Sequence, residues 1–331
     1  MTTAERPLVS VVTPFYNTKD YLAEAIESVL AQTYRHFEYL LVDNISTDGS
    51  ADIAHHYAEL DDRIRVVKNP EFVSQPANYN GALAQVPPRA DYIKILQADD
   101  KLFPRCLEEM VALMEAQPTA GFVSSYRLRG RRVECVGLPH STACVPGREA
   151  ARRHLLGEFF LFGSATTIMY RAGVVRARRP FYSETSYHED TEAAYEILAA
   201  HDLGFVHQVL SFTRMQEESI SGAVRDYQPD VLDQLIAIRR YGRLFLTRAE
   251  YEKRSKEIEG LYYRTLAVAW LDRREKAFFD YHRKGLAMIG EDIDRGKLLH
   301  HAARAATSRL LRPADAAASI VRRGREFLRG S

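Results

Sequence analysis

The sequence predicts an α/β protein, with a mostly parallel sheet flanked by helices and a helical region after it. Three features predict it. Over the first hundred residues, short β-branched runs alternate with segments of helical periodicity, the pattern of right-handed βαβ units. Several of the apolar runs end in polar or acidic residues, as strands do when a ligand gathers at their ends. From about residue 229 onward every segment reads as helix.

LVSVVTP (8–14) is apolar and β-branched and reads as a buried strand. Leu22, Ala25, Ile26, Val29 and Leu30 share one face of a helix over 20–32. FEYLLVD (37–43) is a second strand, and ISTDGS supplies turn chemistry and a cap for a helix over 50–60. RIRVVKN (63–69) is a third strand, followed by a helix at 76–85 and a fourth strand, DYIKIL, at 91–96. A helix covers 104–117, and GFVSSYRL and RRVECVG around Arg129-Gly130 read as antiparallel pieces. The glycine-containing segment FGSATTIMYR (162–171) precedes a helix at 189–200 that opens with HED. FVHQVLSFTR (205–214) is one more strand, and 231–247 and 251–290 read as two helices.

The 331 residues are 46% hydrophobic and 27% charged, which excludes disordered, collagenous and disulfide-scaffold classes. No segment approaches the roughly 20 apolar residues that span a bilayer. The opening MTTAERPLVSVV is polar where a secretory signal would be apolar, so the expected location is cytoplasmic. Cys106, Cys135 and Cys144 are odd in number without CxxC spacing, so neither a disulfide framework nor a zinc site is expected. The net charge of +1 hides an asymmetry: residues 223–331 carry +8 and residues 1–222 carry −7. That asymmetry and the change to all-helical pattern divide the chain into 1–222 and a basic helical region, 223–331.

At the expected strand ends stand Thr13-Pro14-Phe15-Tyr16-Asn17, then Asp43 and Asn44, then Lys68 and Asn69, then Gln97-Ala98-Asp99-Asp100. No GxGxxG follows the first strand and no GxxxxGK[ST] occurs anywhere, so the dinucleotide and P-loop readings lose their signatures. Two adjacent carboxylates at Asp99-Asp100 are costly unless a cation or hydrogen-bond donors neutralise them, and Mg²⁺ or Mn²⁺ prefers such oxygens. A helix cap with one exposed acid is the plainer alternative. Asp43 can accept a hydrogen bond from a base edge or ribose, or is a loop carboxylate with Ser46 or Asp48 capping the next helix. Tyr187-His188-Glu189-Asp190 opens a helix whose dipole favours an ionised carboxylate. Such a group serves as a general base for a hydroxyl nucleophile, or merely as an N-cap.

Together these residues resemble the family 2 glycosyltransferases. The resemblance is carried, in that family's order, by VSVVTPFYN (9–17), AQTY (31–34), FEYLLVDNISTDGS (37–50), SQPANYNGAL (74–83), DYIKILQADDKLFP (91–104), YHEDTEAAYEIL (187–198) and VLSFTR (209–214). It covers residues 7–220. It implies a GT-A fold and transfer of a sugar from a nucleoside diphosphate donor to an acceptor hydroxyl with inversion. By the resemblance, Thr13, Pro14, Phe15, Tyr16, Asn17 and Asp43 hold the nucleoside, with Asn44 beside them. Lys68 and Asn80 lie near base and ribose, Asp99 faces the ribose, and Asp100 ligates a Mn²⁺ or Mg²⁺ bridging the diphosphate. Asp190 is the base, with Glu189 a supporting neighbour, and Arg214 neutralises the diphosphate. A UDP-sugar is the favoured donor, and a saccharide or lipid-linked saccharide of the cell surface the expected acceptor.

Three departures from the family pattern stand out. Asn44 replaces a second acid beside Asp43, Gln97 replaces the first acid of the usual DxD, and Gln216 replaces a histidine that often assists the metal. His207 is the nearby alternative ligand, against a plain structural role. Two other classes compete. A sugar nucleotidyltransferase would want a glycine-rich, lysine-bearing loop after the first strand, and TPFYN has neither residue. A non-catalytic nucleotide-sugar-binding or partner-binding relative would not need both Asp100 and Asp190.

The tail from 296 holds Lys297, Arg304, Arg309, Arg312, Arg322, Arg323, Arg325 and Arg329 against Asp315 and Glu326. With Leu298, Leu299, Ala302, Ala306 and Leu310 as an apolar stripe, it reads as a helix for peripheral contact with an anionic membrane at the inner face. A helical cap or an oligomer contact is the alternative. Nucleic acid is not an expected partner, because no recognised binding module accompanies the basic residues.

Overall fold

Val9–Phe15 (β1) lies between Phe37–Asp43 (β2) and Tyr92–Ile95 (β4), parallel to both, and Ile64–Lys68 (β3) flanks β2. Every residue of β1 is buried, as expected of a β-branched strand covered on both faces. The computed structural model describes residues 6–185, 188–215 and 225–311. The order β3-β2-β1-β4 places the topological switch point between β1 and β4, where open α/β sheets bind ligands.

Register opens that crevice further. β4 pairs only with Val9 to Val12, whereas β2 follows β1 as far as Phe15. Leu96 N–H donates to Val12 and Asn44 N–H to Phe15, so by alternation Pro14 faces the side on which β4 has already ended. A residue without an N–H is tolerated there because no ladder bond is lost.

Ala120–Arg129 (β6), Met169–Arg171 (β9) and Asp202–Thr213 (β10) extend the sheet. β9 is antiparallel to both β4 and β6, and β10 is parallel to β6. The carboxyl ends of β6 and β10 therefore reach the same edge as those of β1 to β4. Lys101–Leu102 (β5) and Cys144–Val145 (β8) pair antiparallel with β10, and Arg132–Glu134 (β7) with β6. The sheet is thus mixed. Strands of two or three residues carry no periodicity, so β5, β8 and β9 were not legible in the pattern.

Lys19–Leu30 (α1) buries Leu22, Ala25, Ile26 and Val29, and Cys106–Ala116 (α4) buries Leu107, Met110 and Met114 in the same core. Ser50–Leu60 (α2), Gln75–Ala84 (α3), Gly147–Leu156 (α5), Ala172–Arg176 (α6) and Glu189–Leu198 (α7) complete the first of two units, residues 1–222. Cys106 and Cys135 are buried thiols, and no described cysteine forms a disulfide.

The second unit, residues 223–331, holds Pro229–Phe245 (α8), Arg248–Leu271 (α9), Lys276–Ala287 (α10) and Arg295–Leu311 (α11). Thr247 and Glu250 form a reciprocal capping box at the start of α9. The single helix expected over 251–290 is two. Arg273 adopts φ +53° and Arg274 N–H returns to the Ala269 carbonyl at 2.9 Å, a Schellman-type closure that ends α9. Of the tail residues, Ala302 is buried, Lys297 bonds Glu259 at 2.8 Å, and Arg309 bonds Asp272 at 2.9 Å. Two basic groups of the expected membrane face are therefore spent on acids of their own unit. Arg312, Arg322, Arg323, Arg325 and Arg329 lie outside the described residues. Among the described residues, no helix is long and apolar enough to cross a membrane.

Candidate active site

The strand ends at the switch point hold the nucleoside candidates, and they sort into two kinds. Asp43 ends β2 almost wholly buried. Its Oδ1 accepts from Ser46 N–H at 2.8 Å, while Oδ2 is buried without a hydrogen-bond partner. Tyr16 is exposed and meets exposed Phe72 edge-to-face, with centroids 4.8 Å apart. Lys68 is exposed and lies next to Asp43 by register. These groups have free faces or atoms to offer a ligand.

The others are spent on the scaffold. Thr13 shares a 2.9 Å hydrogen bond with the Tyr39 hydroxyl, and the Pro14 and Phe15 side chains are buried. Asn17 Oδ1 accepts from Thr47 N–H, tying the two rim loops together. Asn44 Nδ2 donates to the Val73 carbonyl, and its Oδ1 accepts from Val73 N–H and Asn69 Nδ2. It imitates a backbone bridge rather than presenting a base-pairing edge. Asn80 clamps both polar groups of Tyr182, through Nδ2 to the carbonyl and Oδ1 from the N–H. Those bonds occupy both ends of its amide. Asp48 accepts from Lys19 N–H and Ser50 N–H and organises two helix starts. Ile45 is held at φ +64°, a strained backbone for a β-branched residue that costs about 1–3 kcal/mol. The Asp43 bond to Ser46 N–H spans it, and the Asn44 bonds to Val73 and Asn69 fix the residue before it.

After β4, Gln97 to Asp100 turn beneath the crevice. Asp100 is 2% exposed; Oδ1 accepts from Arg214 N–H at 3.0 Å. Burial, with Asp99 as a like-charged neighbour, pushes its carboxyl up to about 7. Burial also raises Asp99. Arg214 follows β10, with its Nε on the Asp99 carbonyl, its Nη2 2.6 Å from Glu24 and its guanidinium 4.7 Å from the Tyr21 ring centre. Lys101 shares Glu24 at 3.1 Å. Neither pairs directly with the two aspartates.

Two contributors were not foreseen from sequence. Lys94, in β4, is fully buried and donates Nζ to the carbonyls of Thr166 and Ile168, the latter at 3.1 Å. Burial lowers its pKa, partly offset by Cys106 and Asp100. The Thr166 hydroxyl accepts from Gln97 N–H at 3.1 Å and stabilises charged Asp100. Periodicity marks Lys94 only as a polar interruption of a strand, which is the one signal the sequence offered.

Glu189 and Asp190 are the first two residues of α7. Asp190 Oδ1 accepts from Thr191 N–H at 2.7 Å. Burial, then the Asp190 charge, raises Glu189 well above the usual carboxylate range. Beyond desolvation, Tyr79 feels Asp99, Glu189 and Asp100, so all three acids lie within electrostatic reach of one hydroxyl. Tyr79 packs edge-on against Tyr182, whose hydroxyl meets that of Tyr170 at 3.3 Å, and Tyr170 feels Asp190. This buried tyrosine row links the acid pair to the helix-start acids. His207 is not near-free: Nδ1 meets the Tyr126 hydroxyl at 2.9 Å and Nε2 the Thr142 carbonyl at 2.8 Å. Both nitrogens are occupied, so it is structural. Tyr187 and Gln216 lie outside the described residues.

Asp99 and Asp100 fit a hard divalent cation: both carboxyls are raised by burial, Asp100 also by the Asp99 charge, and among the described residues no cationic side chain bonds either carboxylate. Among the described residues no cluster of three or more His, Cys, Asp or Glu could hold a metal alone, so phosphate oxygens and water would have to complete the shell.

A switch-point crevice lined by uncompensated carboxylates, on a mixed sheet with GT-A-like order, defines a glycosyltransferase. Residues 10–177 match the glycosyl transferase family 2 profile, and the chain belongs to that family. TuaG of Bacillus subtilis (strain 168), a candidate teichuronic acid biosynthesis glycosyltransferase, is 38% identical over 123 residues, 37% of this chain and 48% of TuaG. Glycosyltransferase GlyG of Streptococcus pneumoniae serotype 4 is 33% identical over 121 residues, 36% of this chain and 39% of GlyG. The match thus spans less than half the length of these relatives. S. aureus TarS 1–349, solved with UDP-GlcNAc, superposes with a TM-score of 0.61 at 17% identity, covering 85% of this chain and 80% of that one. The mannosyltransferase PcManGT of Pyrobaculum calidifontis, solved with GDP-Man and Mn²⁺, gives 0.55 at 17% identity, covering 93% and 81%. These two likenesses are of fold.

Proposed function

We propose that the protein transfers a sugar, with inversion, from a nucleoside diphosphate donor, a UDP-sugar by preference, to a hydroxyl of a saccharide or lipid-linked saccharide acceptor. The assembly served is a cell-surface polysaccharide or glycolipid, a reading supported by the name of TuaG. The observation that carries it is the buried, partnerless Oδ2 of Asp43 on the same edge as buried Asp100 and its half-buried neighbour Asp99.

An ionised carboxylate only accepts hydrogen bonds. Uracil N3–H and guanine N1–H offer it an imide proton, whereas the ring nitrogens of cytosine and adenine at those places only accept. Tyr16 and Phe72 give the base aromatic faces to stack on. Asp99 holds the ribose and Asp100 the cation, with Thr166 and Lys94 keeping that turn in place. When bound, Mn²⁺ or Mg²⁺ neutralises charge on the diphosphate, and the solved TarS and PcManGT complexes support both a uridine or guanosine donor and a cation. Arg214 presents a guanidinium to the departing diphosphate, releasing Glu24 to Lys101. Asp190 takes the proton of the acceptor hydroxyl as it attacks, at the positive end of α7. One displacement needs no covalent intermediate, so a second nucleophilic carboxylate is not required.

Residues 1–222 are the catalytic unit in this reading, and 223–331 an accessory region whose basic tail contacts anionic membrane. A thermal-shift panel of UDP, GDP, CDP and ADP with Mn²⁺ tests the donor assignment. UDP at a hundredfold excess over its dissociation constant should stabilise by about 2.7 kcal/mol. Equal shifts for CDP would remove Asp43 from base recognition.

A further inference from the structure

β6 and β7 form a tight hairpin: Arg129 pairs with Arg132 across Gly130-Arg131, and Gly130 adopts φ +58°, where a side chain would be strained. Its tip is strongly basic. Arg127, Arg129, Arg131 and Arg132 fall within six residues, and Glu134 is the only acid of 120–134. That acid is already shared, with Arg127 at 2.6 Å and Arg129 at 3.7 Å. Arg131 and Arg132 are exposed, and their side chains have no hydrogen-bond or ion-pair partner among the described residues.

Register fixes where this tip lies. Arg129 pairs with Thr213, and Gly130 N–H donates to the Thr213 carbonyl at 3.2 Å. The next residue, Arg214, donates its N–H to Asp100, and Asp100 feels the charge of Arg127. Met215, 55% exposed, borders the tip: a Cβ at Gly130 would lie 3.0 Å from its sulfur. Val133 and Val136 are exposed beside it. The hairpin tip that carries the unpaired guanidinium groups therefore adjoins the donor edge, joined through Thr213 and Arg214 to Asp100, with exposed apolar side chains beside it.

We infer that this hairpin tip binds the acceptor, and that the acceptor is an acidic saccharide whose carboxylate or phosphate groups pair with Arg131 and Arg132. The inference rests on the donor-site reading above. Guanidinium forks match carboxylate and phosphate oxygens two at a time, and the exposed Met215 and Val133 suit the C–H faces of a sugar ring. A membrane surface fits less well. Juxtamembrane lipid recognition uses clusters of about four to eight basic residues, and of the four arginines of this hairpin only Arg131 and Arg132 are exposed.

The test uses the full-length protein, with labelled polygalacturonate and dextran phosphate oligomers, neutral dextran, and phosphatidylglycerol vesicles as probes. UDP with Mn²⁺ is titrated separately. Wild-type protein should bind one or both acidic oligomers in preference to neutral dextran. Arg131→Ala/Arg132→Ala should weaken that binding at least tenfold and leave the UDP dissociation constant unchanged. The corresponding double Lys variant, which keeps charge but loses the fork, should fall between. The carboxylate and phosphate arms identify which anion is read. Absence of binding to either acidic oligomer, equal binding by the double Ala variant, or a variant defect confined to the vesicles would each overturn the inference. Failure of UDP to bind wild-type protein would instead overturn the donor reading, whatever the oligomers do.

Discussion

Both units pair charges, but they differ in the charges they bury. In the helical unit, Arg239 bonds Glu259, Glu291 and Ser255 together, and Lys297 and Arg309 meet Glu259 and Asp272. In the sheet unit, Asp43, Asp99, Asp100 and Glu189 are drawn toward the interior at strand ends and a helix start with no ion-pair partner among the described residues. Paired charges repay their desolvation locally; unpaired buried ones persist only where a fold over-determines them. The contrast is a physical support, apart from any motif, for placing the proposed site in the first unit.

The comparison breaks hardest at Asp190. Asp190→Asn keeps the shape and removes the basicity, so transfer should fall by about 10²–10⁴-fold with donor affinity unchanged. Steady-state turnover beside calorimetric UDP binding checks it. Glu189→Gln should cost less, because a carboxyl whose proton is favoured by burial already resembles an amide. A dead Gln variant beside an active Asn variant would exchange the two roles.

Acidity sharpens it next. Asp100 holds its proton up to about pH 7, because burial and Asp99 disfavour the charge, and a cation requires that proton to leave. Mn²⁺-supported UDP affinity should therefore fall as pH drops below 7, by up to about tenfold per unit, and level off above it. The same raised value has the opposite sign for metal-free stability. The favourable contribution is complete below the ordinary carboxylate range and is lost as pH rises through 7. Metal-free protein should thus melt lower at pH 8 than at pH 6, and Mn²⁺ should narrow the gap. A denaturation series at both pH values, with and without Mn²⁺, measures this.

In the paired unit, effects should shrink to those of ordinary packing. Arg239→Ala loses several partly buried partners and should cost about 1–2 kcal/mol, whereas Arg248→Ala, in an exposed pair, should stay within about 0.5 kcal/mol. Chemical denaturation separates the two. An Arg248 effect as large as that of Arg239 would erase the distinction drawn between the units.

The strands and helices up to β4 were legible because β-branched runs and helical faces have different periods, and one long element after another obeyed them. The carboxylates of the proposed site were legible as candidates, since they stand at the ends of apolar strands. Its amides were not. Asn44 and Asn80 fall in the same motifs as the acids, yet a neutral amide can satisfy backbone groups from either side, and Val73 and Tyr182, distant in sequence, claim them. Lys94 was hidden for a related reason: its partners are carbonyls some seventy residues away, which no local spacing announces. The break after α9 depends on a non-glycine residue at positive φ, where composition gives no warning.

Calorimetric titration of UDP tests the central claim most directly, run on wild-type protein with Mn²⁺, with EDTA, and on Asp100→Asn with Mn²⁺. The account predicts binding in the first case and a loss of at least about a hundredfold, or roughly 2.7 kcal/mol, in the other two. Equal UDP affinity in all three would show that the buried acids at the switch point hold no cation-bridged diphosphate.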